Sequence, residues 1–256
     1  MKTIKKILLF TLVIFILSST AQNAYCKTIT KELEVQTKDA KIIKATVSYV
    51  KIDGVKKYST VVLLHSLGYS SVDWGNLIPD LNNAGYAVIA IDLRGHGKSV
   101  FNTKFQKRAW TYFTTKNYQK FPSDVLAVLD QAQKQVKAVS LDNMAIVGAD
   151  IGANTAVLVS KELKKKPKTL VLISPTTNFK GLYIPIAMVE MGAVPVLSMA
   201  SNKDVYCLNE QRSLAKFAQG GFYAKNYPQG GMGMMMIKSN PSMSQDIVKW
   251  IIRYLK

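Results

Sequence analysis

Apolar residues in this chain follow two patterns that take turns. Short runs without alternation occur at Thr60-Val-Val-Leu-Leu-His65, Tyr86 to Asp92, Met144 to Gly148, Thr169 to Ile173 and Val194 to Met199. A β-branched, aliphatic run with no polar face is a strand covered on both sides, as in a parallel sheet. Between the runs, apolar positions recur at helical spacing and predict helices over Asp73 to Asn83, Ser123 to Val136, Ile151 to Lys164, Asn209 to Phe217 and Ser242 to Leu255. In the second of these, Val125, Val128, Leu129, Ala132 and Val136 share one face, and Ser123 is the expected N-cap. Ahead of this core, Ile29 to Thr37 and Lys41 to Lys51 alternate in polarity and read as an antiparallel pair at a sheet edge. Gly221 to Tyr227 reads as the last central strand. A strand pair followed by repeated β-α units predicts an open α/β sheet, mostly parallel, with helices on both faces.

The first residues do not fit that scheme. Lys2, Lys5 and Lys6 precede an apolar run, Ile7 to Leu17, and small and polar residues follow up to Ala21. The run is shorter than the roughly 20 residues a spanning helix needs. It has the layout of a secretory signal peptide, residues 1–21, which leaves a single domain over 22–256 and an exported protein, periplasmic or extracellular. An uncleaved membrane anchor is the alternative. Export makes a disulfide between Cys26 and Cys207 conceivable, although sequence does not show that they meet.

Charge adds one question. Lys and Arg total 34 against 16 Asp and Glu, a formal net charge of +18. The lysines are spread along the chain, which fits an ordinary solvated surface. Contact with anionic envelope surfaces, with the fold as a basic scaffold, is the second reading. No nucleic-acid recognition motif is present, so nucleic acid is not an expected partner.

In open α/β sheets, ligands bind beyond the carboxyl ends of the strands. There the local sequence becomes specific: His65-Ser-Leu-Gly68 after the first core strand, Asp92-Leu-Arg-Gly-His-Gly-Lys-Ser99 after the second, and Gly148-Ala-Asp-Ile-Gly152 after the third. Together these loops resemble the α/β-hydrolase superfamily, and within it small bacterial hydrolases with a Gly-Ala-Ser-Ile-Gly-Ala elbow, from about residue 40 to the end. The resemblance implies an α/β-hydrolase fold with a short or absent cap between Ser174 and Ala193. It implies a tight elbow at Gly148 and Gly152 that presents residue 150, an oxyanion hole from the backbone N–H groups of Leu67 and Ile151, and a triad acid at Asp204.

Two positions depart from that pattern. The elbow residue is Asp150 instead of serine, and the position of the catalytic histidine falls on Met232. His65 and His96 are the chain's two histidines, and both fall in loops where structural roles are expected. A serine nucleophile needs a base, and an aspartyl-ester intermediate of the kind formed by dehalogenases and epoxide hydrolases of the superfamily needs an activated water; a methionine thioether supplies neither. The expectation is a catalytically degenerate hydrolase homologue that holds a small-molecule ligand in the old pocket, with no cofactor and no metal. The alternative is an active hydrolase, esterase-, dehalogenase- or epoxide-hydrolase-like, that uses Asp150 as nucleophile or base. Asp150 and Asp204 could also hold a cation between them, with Lys203 or Arg94 as competing sources of charge. The methionines from Met232 to Met236 are expected to fill core gaps.

Overall fold

The computed structural model describes residues 27–255. The strands are β1 (Thr28–Gln36), β2 (Ile42–Val50), β3 (Tyr58–Leu64), β4 (Ala87–Ile91), β5 (Val139–Ala149), β6 (Thr169–Ile173), β7 (Asn178–Phe179), β8 (Leu182–Tyr183), β9 (Val196–Ser201) and β10 (Phe222–Tyr227). The helices are α1 (Leu77–Asn83), α2 (Thr115–Tyr118), α3 (Phe121–Gln135), α4 (Ile151–Glu162), α5 (Pro185–Glu190), α6 (Val205–Ala215), α7 (Met234–Ser239) and α8 (Ser242–Tyr254). Eight strands form one sheet in the order β1-β2-β4-β3-β5-β6-β9-β10. Strands β1, β2 and β4 pair antiparallel, and from β4 across to β10 every pairing is parallel. The proposed signal peptide and Cys26 lie outside the described residues.

The unbroken apolar runs explain the layers. Along β3, Val62 and Leu64 join a core with α3 and α4, while Val61 and Leu63 face a second core with α1 and α8. Both faces of the central strands are therefore covered, as their lack of alternation requires. Burying a Val or Leu side chain stabilises by roughly 1.5–3 kcal/mol, so these strands hold the sheet together.

Several expectations shift in detail. Strand β5 begins at Val139, five residues before the apolar run; a register irregularity between Ser59 and Thr60 lets the polar stretch pair with β3. The helix expected from Asp73 is broken at Gly75, φ +52, into a 3₁₀ turn (Ser71–Trp74) and α1. Ser123 is not an N-cap: α3 starts at Phe121, where Pro122 suits the first turn, and the Ser123 hydroxyl donates to the Lys120 carbonyl. Helix α6 starts four residues early because Asp204 caps it. Strand β10 is the far edge of the sheet, exposed along most of its length. Helix α7 was not expected from its glycine- and methionine-rich sequence.

Two loops fix the strand ends that matter. Asp92, after β4, accepts the N–H groups of Ser71 (2.7 Å) and Lys98 (2.8 Å). Its neighbour Arg94 is buried and forks onto two acids, Asp124 of α3 (2.6 and 2.7 Å) and Asp39 of the β1–β2 turn (2.5 and 2.9 Å). Burial pushes the Asp124 carboxyl up and Arg94 pulls it down, whereas the same guanidinium holds Asp39 well below the usual carboxylate range. Between β6 and β9 the insert is short: the β7–β8 hairpin and α5. Asn154 of α4 ties it down, donating to the carbonyls of Thr176 and Leu182, both at 2.8 Å.

Removing one partner of a buried pair strands the other charge. Arg94→Ala is expected to destabilise the fold by about 3–5 kcal/mol in urea titrations because Asp124 is left uncompensated. Lys98→Ala, which breaks an exposed pair with Glu32, should leave the urea midpoint nearly unchanged, because solvent screens that pair.

Candidate functional site

The site lies at the carboxyl ends of β3, β5, β6 and β9. Helix α4 approaches the end of β3 so closely that a Cβ on Gly152 would sit 2.0 Å from the Leu64 carbonyl oxygen, and one on Gly148 would sit 2.3 Å from the Gly152 oxygen. Only glycine fits at either position. The turn between them holds Asp150 at φ +53, a strained conformation for a residue with a side chain. Its N–H is secured to the Ile173 carbonyl at 2.8 Å.

The carboxylate then turns toward the backbone amides expected to form an oxyanion hole. Oδ2 accepts the Leu67 N–H at 3.2 Å, and the neighbouring Ile151 N–H favours the charged form of the carboxyl. Oδ1 is buried and has no hydrogen-bond partner among the described residues. Asp150 is 4% exposed. Burial pushes its pKa up to about 6, against the pull of the two amides and of the Lys180 charge. Lys180, rather than Lys203 or Arg94, is thus the cation felt at this carboxylate. Lys203 bonds to Gln229, and Arg94 is consumed by Asp39 and Asp124.

The last loop closes over the elbow. The contact with Asp150 comes from the backbone of Gly233, next to Met232: a Cβ on Gly233 would lie 3.0 Å from the Asp150 Cβ and 2.1 Å from Ser66 Oγ. Two serines fasten this crossing. Ser174 Oγ accepts the Gly233 N–H and Ser66 Oγ accepts the Met234 N–H, both at 2.9 Å. The Ser174 hydroxyl faces Met236 Sδ at 3.3 Å, and Met234 and Met236 are fully buried. Met232 itself is half-buried at the rim. Ser66 and Ser174 were not singled out from the sequence; their position at strand carboxyl ends was the available signal, but their partner is a loop remote in the chain.

Asp204 is the N-cap of α6, where its Oδ1 accepts the Cys207 N–H at 3.0 Å. The buried Cys207 thiol lies beside Asp204 and Ser174, and burial pushes its pKa far up, so it is a poor nucleophile. Both histidines serve loop structure. His65 Nδ1 bonds to the Ser66 carbonyl (2.7 Å) and its Nε2 accepts the Leu93 N–H (2.9 Å). His96 is stacked on Trp110, and burial lowers its pKa to about 4. No group of three or more His, Cys, Asp or Glu side chains able to hold a metal ion occurs among the described residues.

A mostly parallel sheet with a strand-turn-helix elbow and amides aimed at the elbow side chain defines the α/β-hydrolase class. Residues 56–241 match the family described as serine aminopeptidase, S33, and the chain belongs to that family. Its fold is similar to that of dienelactone hydrolase from Anabaena variabilis, with a TM-score of 0.68 and 13% identity over 90% of this chain and 99% of that one. It is also similar to an esterase from Pyrococcus furiosus, with a TM-score of 0.64 and 18% identity over 89% and 92% of the two chains. A 98-residue segment is 36% identical to epoxide hydrolase B of Mycobacterium tuberculosis; it is 38% of this chain and 23% of that protein.

Because its folded pKa lies above the unfolded value of 3.8, Asp150 lowers stability as pH rises through about 6, and this cost is absent below the unfolded pKa. Asp150→Asn removes the titration. The unfolding free energy of the variant relative to the natural protein should rise by on the order of 2–3 kcal/mol between pH 4 and pH 7 in urea titrations. A difference independent of pH would show that the carboxyl is solvated.

Proposed function

We propose that this protein is a non-hydrolytic member of its family, an exported α/β-hydrolase homologue in which the elbow no longer turns over esters. One observation carries the reading: the Asp150 carboxylate accepts the Leu67 N–H. Oxyanion donors accelerate acyl transfer by stabilising negative charge that develops on the substrate. Here a carboxylate of the protein itself sits against them in the resting state. A substrate carbonyl would have to displace an anion already well matched to the amides.

The missing base supports the same conclusion. Both histidines of the chain are buried in backbone hydrogen bonds, and Met232 has no group that takes a proton near neutral pH. The apolar run from Ile7 to Leu17 supports export. A small-molecule ligand would bind above Asp150, at the rim formed by Met232 and the insert carrying Lys180.

A second reading has its own support. The unpartnered Oδ1 of Asp150 and the similarity to epoxide hydrolase B both favour attack by the carboxylate on an electrophilic carbon. Carbon–oxygen bond formation would open an epoxide and leave an alkyl ester on Asp150. Without a base to activate water, that ester persists and the reaction stops after one turnover.

The purified protein is expected to give no turnover of short-chain nitrophenyl esters and no labelling by fluorophosphonate probes. Asp150→Ser alone should stay inactive, because the base is still absent. Steady multiple turnover that vanishes in Asp150→Ala would overturn the non-hydrolytic reading. Intact-mass spectrometry after incubation with epoxides or haloalkanes separates the second reading: a stable adduct mapped to Asp150 supports it, and an unmodified mass removes it.

A further inference from the structure

Between Asp92 and Asp124 the chain has no acidic residue. That stretch carries Arg94, Lys98, Lys104, Lys107, Arg108, Lys116 and Lys120 among seven aromatic residues. Other stretches free of acids, 163–189 and 211–245 among them, carry five and four basic residues, so this segment holds the most cations with no acid between them.

The fold puts the segment on the surface as a hairpin and a following turn. Phe101 bridges Lys107 antiparallel, and the Asn102 carboxamide accepts the N–H groups of Lys104 (3.0 Å) and Gln106 (2.9 Å) to close the tip. The hairpin is pinned to the β1–β2 turn: Ile42 N–H donates to the Phe101 carbonyl and Thr103 N–H to that of Ala40. It is therefore a presented feature and not a loose loop.

At its tip stands Phe105, 80% exposed and at φ +57. An aromatic side chain gains nothing from water and strains the backbone there, where glycine or asparagine would be the ordinary residue. Phe101 on the same hairpin is also exposed, as is Tyr112 in the turn that follows, at 79%. Between them a cleft of about 260 Å³ is lined by Lys41, Phe101, Arg108, Tyr112 and Asn117, among others. Lys104, Lys107, Arg108 and Lys116 are exposed and form no ion pair among the described residues.

The geometry points to this hairpin as a docking surface for an anionic lipid bilayer, with Phe105 entering the headgroup–acyl boundary and Lys104, Lys107 and Arg108 resting on the phosphates. Exposed aromatic side chains flanked by basic ones are what an anionic interface selects. A soluble polyanion would use the charges but would have no use for an exposed, strained phenylalanine. The surface lies on the outer side of the β1–β2 turn and shares no residue with the elbow.

A local probe tests this in the full chain, where the apolar run near the N-terminus could bind membranes by itself. Phe105→Trp is mixed with vesicles of phosphatidylcholine, with and without phosphatidylglycerol, and the wild-type spectrum is subtracted. The added tryptophan should shift to the blue and be quenched by acyl-brominated lipid only when phosphatidylglycerol is present. Replacing Lys104, Lys107 and Arg108 together by Gln should weaken that response by about a hundred-fold, some five-fold for each charge. Phe105→Gly should weaken it too, while leaving thermal stability unchanged or raised because the strain at φ +57 is relieved. An unshifted tryptophan on vesicles that the protein nonetheless binds would overturn the proposal. So would binding of soluble polyphosphate, unaffected by Phe105→Gly, in place of vesicles.

Discussion

The contact between the first turn of α4 and the end of β3 governs this molecule. With glycine at positions 148 and 152, backbone packs directly on backbone, at a distance no side chain allows. That approach forces residue 150 into a left-handed turn and points its side chain at the amides of Leu67 and Ile151. The geometry was fit for presenting a nucleophile to a substrate with an oxyanion nearby. With aspartate there, the same geometry delivers a negative charge into the place where negative charge is best stabilised. The consequence is self-satisfaction of the donors, at the cost of a buried, partly unsatisfied carboxyl. The closing loop reinforces this: Gly233 is admitted against Asp150 because it too lacks a Cβ, Ser174 Oγ accepts its N–H, and Ser66 Oγ accepts that of Met234.

Much of the fold was legible because the central strands are apolar on both faces. Val61 to Leu64, Ala87 to Ile91 and Thr169 to Ile173 have no polar alternation to mislead, and the two cores lie on their two sides. The elbow was legible from two glycines at the right spacing. Less visible were features that depend on a partner distant in sequence. The polar residues from Val139 onward extend β5 only because β3 shifts register beside them. Helix α7 and the glycines ahead of it look like a flexible turn until Ser66, 168 residues from Met234, supplies the acceptor. Asp204 stands where a triad acid is expected, and its carboxylate also caps the start of α6, which the sequence pattern did not reveal. A hydrogen bond of that kind leaves no periodic trace in sequence.

Electrostatics divides along the sheet. Near the β1–β2 turn, the buried Arg94 is satisfied by two acids, so a strongly basic segment begins with a fully neutralised charge. Further along that segment Lys98 pairs with Glu32, and from Lys104 to Lys116 the cations are exposed and form no ion pair among the described residues. The site around Asp150 is the inverse: one acid, distant help from Lys180, and a pKa near the lower end of physiological pH. The unpaired cations of the hairpin and the carboxylate at the elbow share no residue, and the two regions can change independently.

Strand β10 ends the sheet with its outer edge open. An open edge is a template on which another copy of the chain could add a strand. Two features work against that here. The strand is six residues long, and Lys225 in its middle is anchored inward to Asp246 of α8 at 2.7 Å. The Tyr227 hydroxyl donates to the same carboxylate, also at 2.7 Å. An incoming strand would meet a short, charged ledge tied to the helix behind it. The sheet is thereby protected from edge-to-edge growth without a further strand to cap it, which keeps a basic, partly aromatic surface from becoming the start of an aggregate.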